Sequence, residues 1–184
     1  MRTVASIAVA LALGSAAVLA QPPKPAKPTP GPEHKRIAYF AGQWTFQGEA
    51  KESPLGPGGK ITGSETCEWF AGGFQLVCRS KGTGPKGAVT GMAVMSYDPG
   101  RKAYTYYAHS SLGDNIFVRG QVQDKVWTWS DEATMDGKKM KIVATVTEDS
   151  PTSYLFKLEA GVDGGAMMVI EEGKATKGGK ATSH

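Results

Sequence analysis

From Gln43 onward, apolar and polar positions alternate along the chain. Trp44, Phe46, Gly48 and Ala50 interleave with Gln43, Thr45, Gln47, Glu49 and Lys51, the period-two pattern of a half-buried strand with a polar outer side. A Gly/Pro loop (SPLGPGG) precedes a second alternating run over 61–70. Ala71-Gly72-Gly73 then turns the chain back into a third over 75–80. After the loop 82–87, a fourth run spans 89–97. Asp98-Pro99-Gly100-Arg101 follows, with Pro presetting φ and Gly accepting a positive φ, and leads into a fifth run over 103–109. Further runs at 116–122, 126–130, 140–148, 153–160 and 167–172 are separated by Asp124-Lys125, Asp136-Gly137 and Asp163-Gly164-Gly165. About ten short strands at near-regular spacing predict an all-β, antiparallel up-and-down barrel. Only residues 33–40 read as a helical turn, which would set Ile37, Tyr39 and Phe40 at one end of the barrel. Parity assigns Trp44, Phe46, Cys67, Trp69, Leu76, Cys78, Ile142, Val146, Phe156 and Leu158 to the interior.

The ends of the chain differ from its middle. Met1-Arg2 followed by an apolar, Ala-rich run to Leu19, with Val18 and Ala20 before Gln21, reads as a signal peptide over 1–20. Residues 21–32 (QPPKPAKPTPGP) form a semi-extended Pro-rich linker. From Lys174 the composition is Lys, Gly, Thr and Ser, which reads as a frayed tail. A periplasmic or secreted location follows, with no integral membrane span after signal cleavage. Fifteen of the 21 basic residues and all 17 acidic ones lie within 33–173, which leaves that stretch at −2 although the whole chain is +4. No basic face is implied, and nucleic acid is not an expected partner.

Two cysteines in an exported chain invite a disulfide. If residues 71–74 form the turn, Phe70 pairs with Gln75, Trp69 with Leu76, and Cys67 with Cys78, which sets the two thiols opposite one another on adjacent strands. The spacing is not that of a metal or redox pair, and no metal or cofactor site emerges.

Of His34, His109 and His184, the first abuts the linker and the last ends the tail. His109 lies near Ser110, Ser111 and Asp114, but no strand-to-helix elbow holds a nucleophile there, so no catalytic residue is assigned. Closing the fourth and fifth strands through a two-residue Pro-Gly turn pairs Met95 with Tyr104 and Ala93 with Tyr106. On the opposite face it pairs Met92 with Tyr107, Val94 with Thr105 and Thr90 with His109. Either face would line an interior with aromatic and hydroxyl groups, the mixture that suits a small amphipathic ligand. Trp127 and Trp129 share one strand face, as a core or as a stacking platform. Tyr106, Tyr107, His109, Trp127 and Trp129 are therefore the candidate ligand-binding residues. Glu65 shares the parity of Cys67 and Trp69. It points inward to a pairing partner or a ligand, unless a bulge turns it out.

The G-x-W at Gly42-Gln43-Trp44, after a helical turn, resembles the calycin superfamily of lipocalins, fatty-acid-binding proteins and nitrobindins. That resemblance implies a barrel plugged at one end by Trp44, with Lys174 or Lys177 packed over its ring. FAGQW, the Pro/Gly loop, WFAGGFQL and the run through YDPGRKAYTYY resemble more closely the secreted bacterial family known as domain of unknown function 1579. This resemblance covers most of 40–176 and implies a calycin-like barrel without an established activity; the barrel domain is read over 33–176 and the basic tail over 177–184. Where that family pattern has a Trp and an Asp-Ser pair after the fifth strand, this chain has Tyr107-Ala108-His109-Ser110-Ser111. Nitrobindin-like haem binding would need an axial His in the later strands, and none lies between Asn115 and Thr182. The expected function is non-catalytic binding of a small hydrophobic, amphipathic or aromatic ligand, entering near His109 and the loop 110–115. There a rim His would suit an anionic head group and Gly113 would give a lid its freedom. The alternative is an envelope-associated interaction protein with a filled barrel. Oligomeric state is left open by the sequence.

Overall fold

The computed structural model describes residues 27–53, 56–135 and 137–178. The expected signal peptide over 1–20, the first half of the expected linker over 21–32 and the expected tail beyond Gly178 lie outside them. A short helix, α1 (Pro32–Arg36), continues into a 3-10 turn at Ile37–Phe40. Pro32 sits in its first turn, where no backbone donor is missed. Ten strands follow: β1 (Gly42–Ala50), β2 (Gly59–Trp69), β3 (Gln75–Gly84), β4 (Gly87–Asp98), β5 (Ala103–Ser110), β6 (Asn115–Gln123), β7 (Val126–Met135), β8 (Lys138–Ser150), β9 (Ser153–Val162) and β10 (Met168–Lys177). Each pairs antiparallel with its sequence neighbours, and β1 also pairs with β10, so the sheet closes into a barrel without an open edge.

The β2–β3 hairpin has the register read from its turn. Trp69 faces Leu76 and Cys67 faces Cys78, and the Phe70 amide donates to the Gln75 carbonyl at 2.9 Å. The cysteines form a disulfide with their Cα atoms 4.0 Å apart, both nearly inaccessible.

Four expectations change. First, the β4–β5 hairpin is offset by two residues. Met95 faces Tyr106, Ala93 faces Ala108, Val94 faces Tyr107 and Met92 faces His109. The connection is not a two-residue turn: Asp98 pairs with Ala103 across four residues. Asp98 Oδ1 accepts from the Gly100 and Arg101 amides at 3.0 and 3.2 Å, and Lys102 closes the loop at φ 50°. A shift of two preserves parity, so the division of faces survives. Second, β10 runs to Lys177, because its backbone is the partner that β1 needs along Trp44–Ala50. Residues 174–177 therefore belong to the barrel despite a tail-like composition. Third, Trp69 has inward parity but is 38% exposed, since it is the last residue of β2 and stands past the packed rim. Fourth, His34 is buried in α1, with its ring edge-on to Phe74 at 5.1 Å and Tyr97 at 5.8 Å.

The helix and 3-10 turn seal the barrel end that holds the start of β1. Trp44 plugs this end, with Nε1 donating to the Phe40 carbonyl at 2.8 Å and the Lys177 ammonium 5.1 Å from its ring centroid. Arg36 covers Trp127 at 5.0 Å and pairs with Glu148, which accepts a 2.7 Å bond from Trp127 Nε1. A core of Ile37, Phe40, Leu76, Met95, Tyr104 and Trp127 fills the space around the disulfide. No helix among the described residues is long and apolar enough to cross a membrane.

Candidate functional site

Packing changes character toward the other end. Glu65, Ser80, Tyr106, Val118, Ala144 and Phe156 face inward by register, yet each is only half-buried. Ile142, Val146 and Leu158 of the expected interior set behave the same way. Residues that face inward in a closed barrel and still retain accessible surface border empty space. The barrel is therefore solid at the α1 end and hollow above it.

At the far end lies a cavity of about 380 Å³. Phe46, Ile61, Val89, Leu112 and Ile170 give it apolar walls, and Lys51, Lys86 and Glu171 stand at its edge. Burial raises the Glu171 carboxyl above its ordinary value. Lys51 is engaged with Glu49 at 2.7 Å and Glu172 at 3.3 Å. The ring of Phe46 lies on Gly63, and that of Phe156 on Gly48 and Gly173, where a Cβ would press into the ring; at Gly82 a Cβ would collide with the Thr62 carbonyl. Small residues on the inner wall thus leave room for two aromatic rings. A second depression of about 1110 Å³ is lined chiefly by outward groups, including Lys60, Thr145, Thr147 and Lys157, and lies on the solvent side of the sheet.

The five candidate ligand residues divide between the two faces of the wall. Tyr106, Trp127 and Trp129 point inward. The two indoles stack 6.2 Å apart at an interplanar angle of 9°, and the Tyr106 ring lies 5.8 Å from Trp129. Trp127 is fully buried in the sealed end, so the Trp129–Tyr106 pair is the part next to the hollow. Tyr107 and His109 are on the outer face. Their rings touch at 4.6 Å, and Tyr107 also neighbours Phe117 at 6.3 Å. The serine beside His109 is engaged elsewhere: Ser110 Oγ bonds to Asp114 Oδ2 at 2.6 Å. The loop 110–115 does border the hollow through Leu112. It is tied to the start of β4, with the Ser111 amide donating to Thr90 O at 2.8 Å and the Thr90 amide to Ser111 Oγ at 3.0 Å. Gly113 takes a φ of 90° to close this loop.

Glu65 faces inward below the cavity, among the half-buried inward residues rather than among those that line it. β2 pairs without a bulge from Gly59 to Cys67, so the carboxylate keeps its inward parity. Trp44 of β1 and Ser80 of β3 flank it. Its carboxylate lies within 4.8 Å of both disulfide sulfurs. With those sulfurs bonded to each other, the cluster offers a metal one ligand rather than three. Burial alone pushes the Glu65 carboxyl up to about 7, and no hydrogen bond or cation among the described residues offsets it. The phenols of Tyr106 and Tyr154 are raised first by burial and then by the charge of Glu65. Tyr154 has the parity of Phe156 and Leu158 on β9, so its position was legible in the sequence. Its role was not, because only closure of the sheet brings β9 opposite β2.

The fold is that of calycin-like barrels. It is similar to Rv2717c from M. tuberculosis, with a TM-score of 0.56 and 10% identity over 80% of this chain and 98% of that one. The S-type phycobiliprotein lyase CPES from Guillardia theta aligns with a TM-score of 0.54 and 7% identity, over 80% of this chain and 93% of its own. A de novo designed fluorescence-activating β-barrel aligns over 77% of this chain and 95% of its own, with a TM-score of 0.43 and 17% identity. No curated protein matches the chain. The match that extends through the barrel is to a family described as protein of unknown function (DUF1579), over residues 29–177, and to that family this chain belongs.

Proposed function

We propose that the barrel is a container for a small amphipathic or aromatic ligand and does no chemistry of its own. The observation that carries this reading is the ring of inward side chains left half-buried above a sealed base, beneath a mouth of about 380 Å³. That volume is within the range of ligand sites, and apolar walls with a few polar groups at the floor are what such ligands need. The Tyr106–Trp129 pair supplies a flat aromatic wall. Entry is at the mouth beside Leu112, since α1 and Trp44 occupy the other end. The rival reading, a filled barrel acting through its surface, would use the exposed outer patch of Met92, Tyr107 and Phe117; the hollow favours the container. The disulfide supports a periplasmic or secreted setting, because such bonds persist in oxidising compartments.

The test is native mass spectrometry of protein purified from its own cells, followed by titration of tryptophan fluorescence with alkyl and aromatic compounds. Adduct masses and saturable quenching of Trp129 are expected, and Tyr107→Ser on the outer wall leaves the titration unchanged. An adduct-free protein whose emission none of these compounds alters would refute the container.

A further inference from the structure

The interior below the cavity carries an acid without a counter-charge. The adjacent strands bring nothing cationic to Glu65: β1 contributes the Trp44 indole and β3 the Ser80 hydroxyl. From across the interior β5 contributes Tyr106 and β9 contributes Tyr154, both neutral. Tyr97 of β4 and Tyr104 of β5 pack against each other nearer the sealed end, where Glu148 of β8 is paired with Arg36. On β10 the inward groups are Glu171 at the mouth and Lys177 beneath the floor. Lys177 is held over Trp44 and donates to the Tyr39 carbonyl at 3.3 Å. Asp131 of β7 has inward parity but is exposed. Among the described residues, the groups that face Glu65 are thus acidic or neutral; the cations at the cavity, Lys51 and Lys86, stand at its mouth, Lys138 of β8 has inward parity but is exposed, and His109 lies on the outer wall.

An unpaired carboxylate in such a setting is costly, and a cation brought in by a ligand offsets that cost. An anionic head group meets the opposite condition, since two carboxylates beside one another cannot both ionise readily. We infer that the hollow selects ligands bearing a protonated amine or a comparable cationic nitrogen, seated on Glu65 within reach of the Tyr106 and Tyr154 hydroxyls, with the apolar body directed toward Phe46, Ile61 and the mouth. This rests on the container reading and names the chemistry of its occupant.

The test compares decylamine, decanol and decanoate, each below its micellar concentration, by tryptophan quenching and calorimetry on the full barrel with its disulfide intact. At about pH 8 the amine is expected to bind on the order of tenfold more tightly than the alcohol, with decanoate weakest. Toward about pH 5 the amine keeps its charge while Glu65 takes up a proton, so the preference shrinks. Glu65→Gln, verified as folded by circular dichroism, abolishes the preference for the amine over the alcohol. Equal binding of amine and alcohol, tighter binding of decanoate, or a preference that survives in Glu65→Gln would overturn the head-group assignment and leave the container standing. Failure of all three compounds to bind would overturn both.

Discussion

Replacing Glu65 by Gln isolates what it costs to hold a carboxylate inside the barrel without a partner. In the unfolded chain this carboxyl titrates near 4.5, whereas in the barrel burial holds it at about 7. Between those values the native state keeps a proton that the unfolded state has lost, so stability falls as pH rises through that window. Below pH 4.5 both states are protonated and nothing is lost; above pH 7 the loss is complete, at about 3 kcal/mol. Water in the hollow screens the charge, which makes about 2–3 kcal/mol the working range. Gln keeps the shape and has no titration. The stability of Glu65→Gln relative to the parent should therefore rise by about 2–3 kcal/mol between about pH 4 and pH 8, or roughly 5–10 °C in Tm for a domain of this size. Urea denaturation at a series of pH values, followed by circular dichroism with the disulfide intact, gives the difference curve. Other groups raised by burial, Glu171 among them, contribute equally to both proteins and cancel. A difference that stays flat with pH, or one that falls as pH rises, would refute the reasoning that Glu65 is buried and unpaired.

Two other predictions concern the scaffold. Protein purified without reductant should show no free thiol under denaturing conditions, and Cys67→Ser with Cys78→Ser should lose about 3 kcal/mol in urea, the loop-closure contribution of a bond spanning 11 residues. Gly120→Ala should lose roughly 1–3 kcal/mol by thermal denaturation, because its Cβ would stand 2.5 Å from Trp129 Cε3 and 2.6 Å from the Thr128 carbonyl, and backbone cannot retreat as a flexible side chain can.

What the sequence determined by itself was whatever depends on neighbours along the chain. Alternation from Trp44 to Ala50 and its later repeats yielded ten strands and their inward faces, because side-chain direction in a strand has a period of two. The Ala71-Gly72-Gly73 turn set the pairing of Cys67 with Cys78, because a tight hairpin leaves its register no freedom. The same locality explains the errors. Asp98 lengthened its turn by accepting two backbone amides, and Lys174–Lys177 became strand because β1 required a partner that their composition does not announce. The tertiary structure alone decided the site. Parity placed Glu65 inward, but whether a cation would meet it there depended on strands far away in sequence. Closure brought Tyr106 and Tyr154 toward it and left Lys177 beneath the floor with Trp44. Tyr107 and His109 adjoin Tyr106 in the chain and stand outside the wall that Tyr106 lines, since successive residues of a strand face opposite ways and closure makes one of those ways the interior.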